Sequence, residues 1–311
     1  MDRRAFLASA ALAAPFATPL AAGGSGRLNL SVFVKHLQFL KLARLPDAVA
    51  AMGFDGADLP VRPKGVVEPE RAAAELPALV RAFRANKVEV PMVTSHIIDA
   101  ATPHAETVLR TLKDLGIAYY RWDGFRYDYK RPLAQQLEEL KPRVAALAKL
   151  NAQCGVRAIY HTHSGAGRVG ASIWDVHLLL KDFDPAQVAI NYDVGHATVE
   201  GGLGGWINSF GITGAHLGGV ALKDFYWKRD AKGAWNDEWT PIGDGMVKFP
   251  QFFKMLAARP DFRGPLQVHY EYPLGGAESG KTELTMSEAE IFTAMKRDLA
   301  KLRGYMKEAG L

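Results

Sequence analysis

The sequence predicts an α/β chain folded as a single (β/α)8 barrel, a TIM barrel, on three observations. From residue 26 onward, short apolar runs alternate with longer helical patterns, the mark of parallel strands joined by crossover helices. Eight such runs can be read, the number that closes a barrel. With 311 residues and 48% hydrophobic content, the chain can fill one barrel of about 250 residues and has little left for a second domain.

The first element lies outside that barrel. "MDRRAFLASAALAAPFATPLAAGG" sets Arg3 and Arg4 before an Ala-rich apolar stretch that ends in small residues. It resembles a twin-arginine export signal spanning 1–22. Pro15 and Pro19 would break the alternative, an apolar helix packed on the domain. The expectation is cleavage near Ala22, a mature barrel over 23–311, and a periplasmic or secreted location. No later stretch approaches the ~20 apolar residues of a membrane span. The single cysteine, Cys154, rules out an intramolecular disulfide.

Strands are expected at 28–34, 56–59, 89–94, 118–122, 157–161, 188–193, 219–223 and 265–270. Helical periodicity is clearest over 69–86, 103–115, 133–154 and 287–307, with Pro69 and Pro103 suited to a first helical turn. "GFDGADL" and "LGIAYYRW" each show a glycine closing a helix just before a strand. Two connections, 224–249 and 272–287, read as long loops, which in barrels shape the active face. The first carries three tryptophans, Trp227, Trp235 and Trp239, whose flat rings suit either a sugar face or a small cluster holding the loop down.

The formal charge of +5 is mild and spread out, with no basic stripe interleaved with aromatics, so nucleic acid is not an expected partner. Of nine histidines, His36, His96, His161, His163, His196 and His269 fall at or just past the C-terminal ends of expected strands. That is the face where barrels place their chemistry. Residues two apart on a strand share a face, so "IYHTHSG" aligns His161 with His163, and "VHYEY" aligns His269 with Glu271.

Asp193 ends the apolar run of "VAINYDVGHA". A buried carboxylate there needs a partner: a divalent cation, or the backbone N–H groups of the following turn. The candidate metal ligands are His161, His163, Asp193, His269 and Glu271, imidazole and carboxylate donors for one ion of manganese, zinc, cobalt, nickel or magnesium. His196 would touch the ion, a ligand or the substrate. Lys223 and Arg121, ending the seventh and fourth strands, are candidates to orient a substrate oxygen, stabilise an enolate or move a proton; balancing the carboxylates is the alternative. With Glu271 and His196 they form the expected catalytic set. His36, Asp58, Arg62, His96, Trp122 and Trp227 are the expected substrate contacts.

With "GFDGADL", "YHTHSG", "NYDVGHA", "LKD" and "VHYEY" in view, the chain resembles the sugar phosphate isomerase/epimerase superfamily, the xylose-isomerase-like barrels, over about residues 28–308. The resemblance implies a divalent metal held by Glu, Asp, His and Glu from the fifth to eighth strands. Asp193 and Glu271 match the second and fourth of these. His161-Thr162-His163 stands where the family often has Glu-Asn-His, and Ala221 where it has the seventh-strand His. The implied function is a metal-dependent isomerase, epimerase or lyase removing a proton next to a carbonyl. The expected export, and the absence of a Gly-rich phosphate cradle, point to an unphosphorylated sugar, keto-sugar or glycoside. A non-catalytic carbohydrate-binding barrel stays open as an alternative, and a metal-dependent phosphodiesterase of the abasic-endonuclease type as a weaker one. Oligomeric state is not legible.

Overall fold

The eight apolar runs close into one parallel barrel in a computed structural model that describes residues 28–311. The expected leader, 1–22, lies outside the described residues. The strands are β1 (Leu30–Phe33), β2 (Gly56–Val61), β3 (Glu89–Ser95), β4 (Tyr119–Trp122), β5 (Arg157–His161), β6 (Val188–Asp193), β7 (Leu217–Leu222), β8 (Asp224–Arg229), β9 (Trp235–Thr240) and β10 (Leu266–Val268). The barrel runs β1 to β7 in sequence order and closes through β10, which pairs with β7 and β1.

Strand alternation divides the core. Outward residues such as Val32, Leu59, Tyr120, Trp122, Tyr160 and Tyr192 pack against the surrounding helices. Inward, Met92, Ile159 and Ala189 form a small apolar plug beside Tyr119. Above the plug the inward positions turn polar, with Asp58, Thr94, His161, Asn191, Asp193, Gln267 and His269 all buried. A closed parallel barrel thus offers two environments, and the charged and imidazole side chains above the plug collect toward the C-terminal mouth.

The helices follow the expected pattern with local differences. Pro69 opens a 3-10 turn, Pro69–Arg71, that runs into the helix Ala72–Ala85. Pro103 does not start a helix: His104 adopts a left-handed φ of 63° and the helix is Ala105–Asp114. The last helix, Glu288–Glu308, is fixed by a capping box between Ser287 and Glu290.

The segment 224–249 corrects a loop assignment. Most of it is the antiparallel hairpin β8–β9, in which Phe225 pairs with Trp239 and Trp227 with Asp237. The Asp224 carboxylate anchors the return chain, accepting N–H bonds from Phe225, Gly243, Gly245 and Val247 at 2.8 to 3.1 Å. Among the described residues, no helix is long and apolar enough to cross a membrane.

Candidate active site

The buried strand β6 delivers Asp193 to the mouth, and the carboxylate has two separate tasks there. Its Oδ1 accepts the His196 N–H at 3.0 Å and so caps the helix Val194–Gly201. Its Oδ2 faces the barrel axis, 3.2 Å from Lys223 Nζ and 3.5 Å from His161 Nε2. Burial pushes the Asp193 carboxyl up to about 6, against the pull of Lys223.

Lys223, just past β7, is the hub of the site. Its fully buried stem brings the ammonium 3.0 Å from Glu271 Oε1 and 2.7 Å from His196 Nε2, with the Trp239 ring centroid 4.3 Å from Nζ. Since the ammonium can only donate, His196 Nε2 is the acceptor, and its Nδ1–H donates to Ser164 Oγ at 2.8 Å. Burial would raise the Glu271 carboxyl, but Lys223 and His269 more than offset this and hold it well below the usual range. Glu271 is therefore a carboxylate, part-exposed toward the mouth.

Three buried atoms around this hub have no hydrogen-bond partner: His161 Nε2, Asp193 Oδ2 and His269 Nε2. The 3.2 Å approach of Lys223 to Asp193 is an ion-pair distance without hydrogen-bond alignment, which reconciles the contact with the unpartnered oxygen. His161, Asp193 and His269 each offer one ligand atom, all within 4.8 Å of one another. Two imidazoles and a carboxylate are a fitting donor set for a divalent ion of borderline softness.

The ring orientation can be supported as well. His161 Nδ1 lies 2.9 Å from the Asn191 side-chain amide, which in turn pairs with Gln267. The Asn191 nitrogen is the atom that faces His161, and it also donates to Gln267 Oε1 at 2.7 Å, so Nδ1 accepts and the ring proton sits on Nε2; ligation of an ion there would require the Asn191 and Gln267 amides to turn over together. Burial holds both imidazoles neutral, His161 well below its usual range and His269 down to about 4.

The opposite wall carries Asp58, Arg62 and Arg121. Asp58 accepts from Thr94 Oγ1 at 2.7 Å, but its Oδ1 is unpartnered, and burial pushes its carboxyl up to about 7. Arg121 Nη2 donates to His163 Nε2 at 3.3 Å. Burial, with Arg121 beside it, lowers His163 to about 2. Arg62 lies over the Phe33 ring at 5.5 Å, and His269 stacks on the other residue of that pair, Phe33, at 4.8 Å.

The mouth thus brings together Asp58, Arg62, Arg121, His161, His163, Asp193, His196, Lys223, His269 and Glu271. Four expectations need correction on geometric grounds. Trp122 faces the helices, fully buried, with Nε1–H donating to Ile98 O at 2.8 Å, because its strand neighbour Arg121 takes the inward position. His36 Nε2 accepts the Tyr270 N–H at 3.1 Å, which makes it an anchor for the end of the β10 segment. Trp227 lines an outer groove with Leu203, Trp206 and Met246, away from the hub. Of the five expected metal ligands, His163 is engaged by Arg121 and Glu271 by Lys223, which leaves three converging atoms. His96 sits at the end of β3, partly exposed, with Nδ1 unpartnered.

Sequence reading does not single out Trp239 among the three tryptophans of 224–249, and it misses Ser164 and the Asn191–Gln267 pair. Trp239 shares a hairpin face with Phe225 and Trp227, and its place beside Thr240, at the barrel end of the hairpin, sets it against Lys223 and His196.

A family model described as a xylose isomerase-like TIM barrel matches residues 46–294. No curated protein matches the chain. Solved structures that resemble it include 3-keto-D-glucoside 4-epimerase from E. coli, at 14% identity and TM-score 0.62 over 89% of this chain and 100% of that one. D-psicose 3-epimerase from Clostridium cellulolyticum, crystallised with D-tagatose, gives 13% identity and TM-score 0.64 over 90% and 99%. A xylose isomerase-like barrel from Mycobacterium smegmatis, in complex with magnesium, gives 14% and 0.59 over 88% and 98%. At these identities the likeness establishes the fold.

Proposed function

Since the chain belongs to the xylose isomerase-like TIM barrel family, we propose that it acts on an unphosphorylated sugar or keto-sugar by removing a proton next to a carbonyl. Isomerisation, epimerisation and elimination from a keto-sugar share that first step. The observation that carries this reading is the convergence of Glu271, Lys223 and His196 at the mouth, a carboxylate base beside two groups that can stabilise or shuttle charge. Glu271, held ionised and open to the mouth, is the base in this reading. Lys223 faces the oxygen on which negative charge develops, and the His196–Ser164 contact fixes the lysine's direction.

His161, Asp193 and His269 are the residues that would hold a divalent ion. When bound, such an ion would polarise the carbonyl of the sugar. The unpartnered Asp58 and the guanidinium groups of Arg62 and Arg121 would bind the hydroxyls of the same ligand. The reading includes export through the twin-arginine leader, in keeping with an unphosphorylated substrate.

The test is incubation of the mature chain with a panel of ketoses and 3-keto-glycosides, with products separated by chromatography, beside Glu271→Gln. Turnover by the parent, lost in the variant while sugar binding by calorimetry persists, supports the assignment. Binding without turnover in the parent would transfer the chain to the carbohydrate-binding class.

A further inference from the structure

The geometry points to Lys223 as the resident cation of this site, an ammonium that takes part of the ligand set and weakens the chain's affinity for a divalent ion. The inference builds on the proposed metal-holding group but concerns only the charge balance of the protein. Its test needs no substrate.

Four observations converge on it. The ammonium is surrounded by two carboxylate oxygens at ion-pair distance, Glu271 Oε1 at 3.0 Å and Asp193 Oδ2 at 3.2 Å, and by one hydrogen-bond acceptor, His196 Nε2 at 2.7 Å. The Trp239 ring closes the fourth side at 4.3 Å. The path of the stem is itself built: a Cβ on Gly195 would lie 2.8 Å from Lys223 Cγ and 3.1 Å from Trp239 Cζ3, so the absence of a side chain there makes room for both. Ala221 pairs in register with Asp193 on one side and Gln267 on the other, so the inward position beside Asp193 carries a methyl group and no donor atom.

An ion on Asp193 Oδ2 would share that oxygen with the ammonium, and Glu271 would have to release Lys223 before it could join the coordination. Two cations on one carboxylate repel, so ion and ammonium are alternative partners of Asp193. The ammonium already neutralises the carboxylate pair in part, while the Nε2 atoms of the neutral His161 and His269 rings have no partner. The three-atom group therefore remains able to take an ion, but weakly.

The experiment is titration of Mn²⁺ and Zn²⁺ by calorimetry into chelator-stripped, untagged parent, Lys223→Met and Lys223→Arg, with thermal midpoints measured with and without ion. Lys223→Met is expected to bind one ion about 100-fold more tightly than the parent and to gain thermal stability from it, while Lys223→Arg stays parent-like. Equal affinity in the parent and Lys223→Met overturns the inference. The parent titration also decides without any variant: one ion bound with a dissociation constant below about 1 µM in the parent would contradict a resident ammonium, and a much weaker one supports it.

Discussion

Lys223 Nζ lies 2.7 Å from His196 Nε2, and the residue that permits this contact is the glycine next to the histidine, Gly195. An added methyl group at Gly195 would meet Lys223 Cγ at 2.8 Å and the Lys223 carbonyl at 2.9 Å, too close for either to stay in place. Gly195→Ala is therefore expected to lose about 1–3 kcal/mol of stability by overpacking. It should lose activity beyond what the folded fraction explains. Urea unfolding beside turnover per folded molecule checks this, and parent-like values in both would contradict the packing.

The hairpin tryptophans Trp227 and Trp239 share a face with Phe225 but lie at different distances from the barrel. Trp239 covers Lys223 and His196, whereas Trp227 lines the outer groove. Trp239→Leu should lower kcat/KM by about 10-fold, the order of a lost partly desolvated cation–π contact. Trp227→Leu should leave kcat/KM within about twofold of the parent. Steady-state kinetics of the two variants on one substrate give the comparison, and the reverse ranking would contradict the placement of Trp239 over the mouth.

Asp58 makes stability depend on pH in a stated direction. Its carboxyl is pushed up from 3.8 to about 7 by burial, so the folded protein holds a proton that the unfolded chain releases near pH 4. A raised pKa contributes stability at low pH that is lost as pH rises through the folded value. Between pH 5 and 8 the loss is about 2–3 kcal/mol. Asp58→Asn, which keeps a side chain able to meet Thr94, should show a flatter profile of urea midpoint against pH. A variant profile as steep as the parent's would show that another group titrates.

Trp122 is a core residue on the helix side of β4. Trp122→Phe removes the hydrogen bond to Ile98 O and leaves a small cavity, and is expected to destabilise the fold by about 1–3 kcal/mol. Activity per folded molecule should be unchanged. A selective loss of sugar affinity at unaltered stability would restore it to the site.

The barrel was legible because its strands carry the signal themselves. Val188–Asp193 is legible because the apolar run Val188–Ile190 opens after polar residues and Asp193 caps the following helix, and the C-terminal placement of the histidines follows from the strand ends. Faces were harder. Alternation in Tyr119–Trp122 sets Arg121 and Trp122 on opposite faces, but only the register of Arg121 with Thr94 shows which of the two points to the axis. The hairpin at 224–240 was hidden for the opposite reason: both strands mix charged and aromatic residues, and only the turn near Gly233, with φ 83°, marks the reversal. Asp193 illustrates a false choice in sequence reading, because one carboxylate caps a helix with Oδ1 and faces the axis with Oδ2. The Lys223 bridge across Asp193 and Glu271 joins residues far apart in the chain, which no local pattern encodes.

The most direct test of proton abstraction at this mouth is proton NMR of a ketose or 3-keto-glycoside incubated with the mature chain in D2O, beside Glu271→Gln. The account predicts deuterium at the carbon next to the carbonyl in recovered substrate or product, and none with the variant. Turnover by the parent without deuterium at that carbon, or equal exchange in Glu271→Gln, would contradict it.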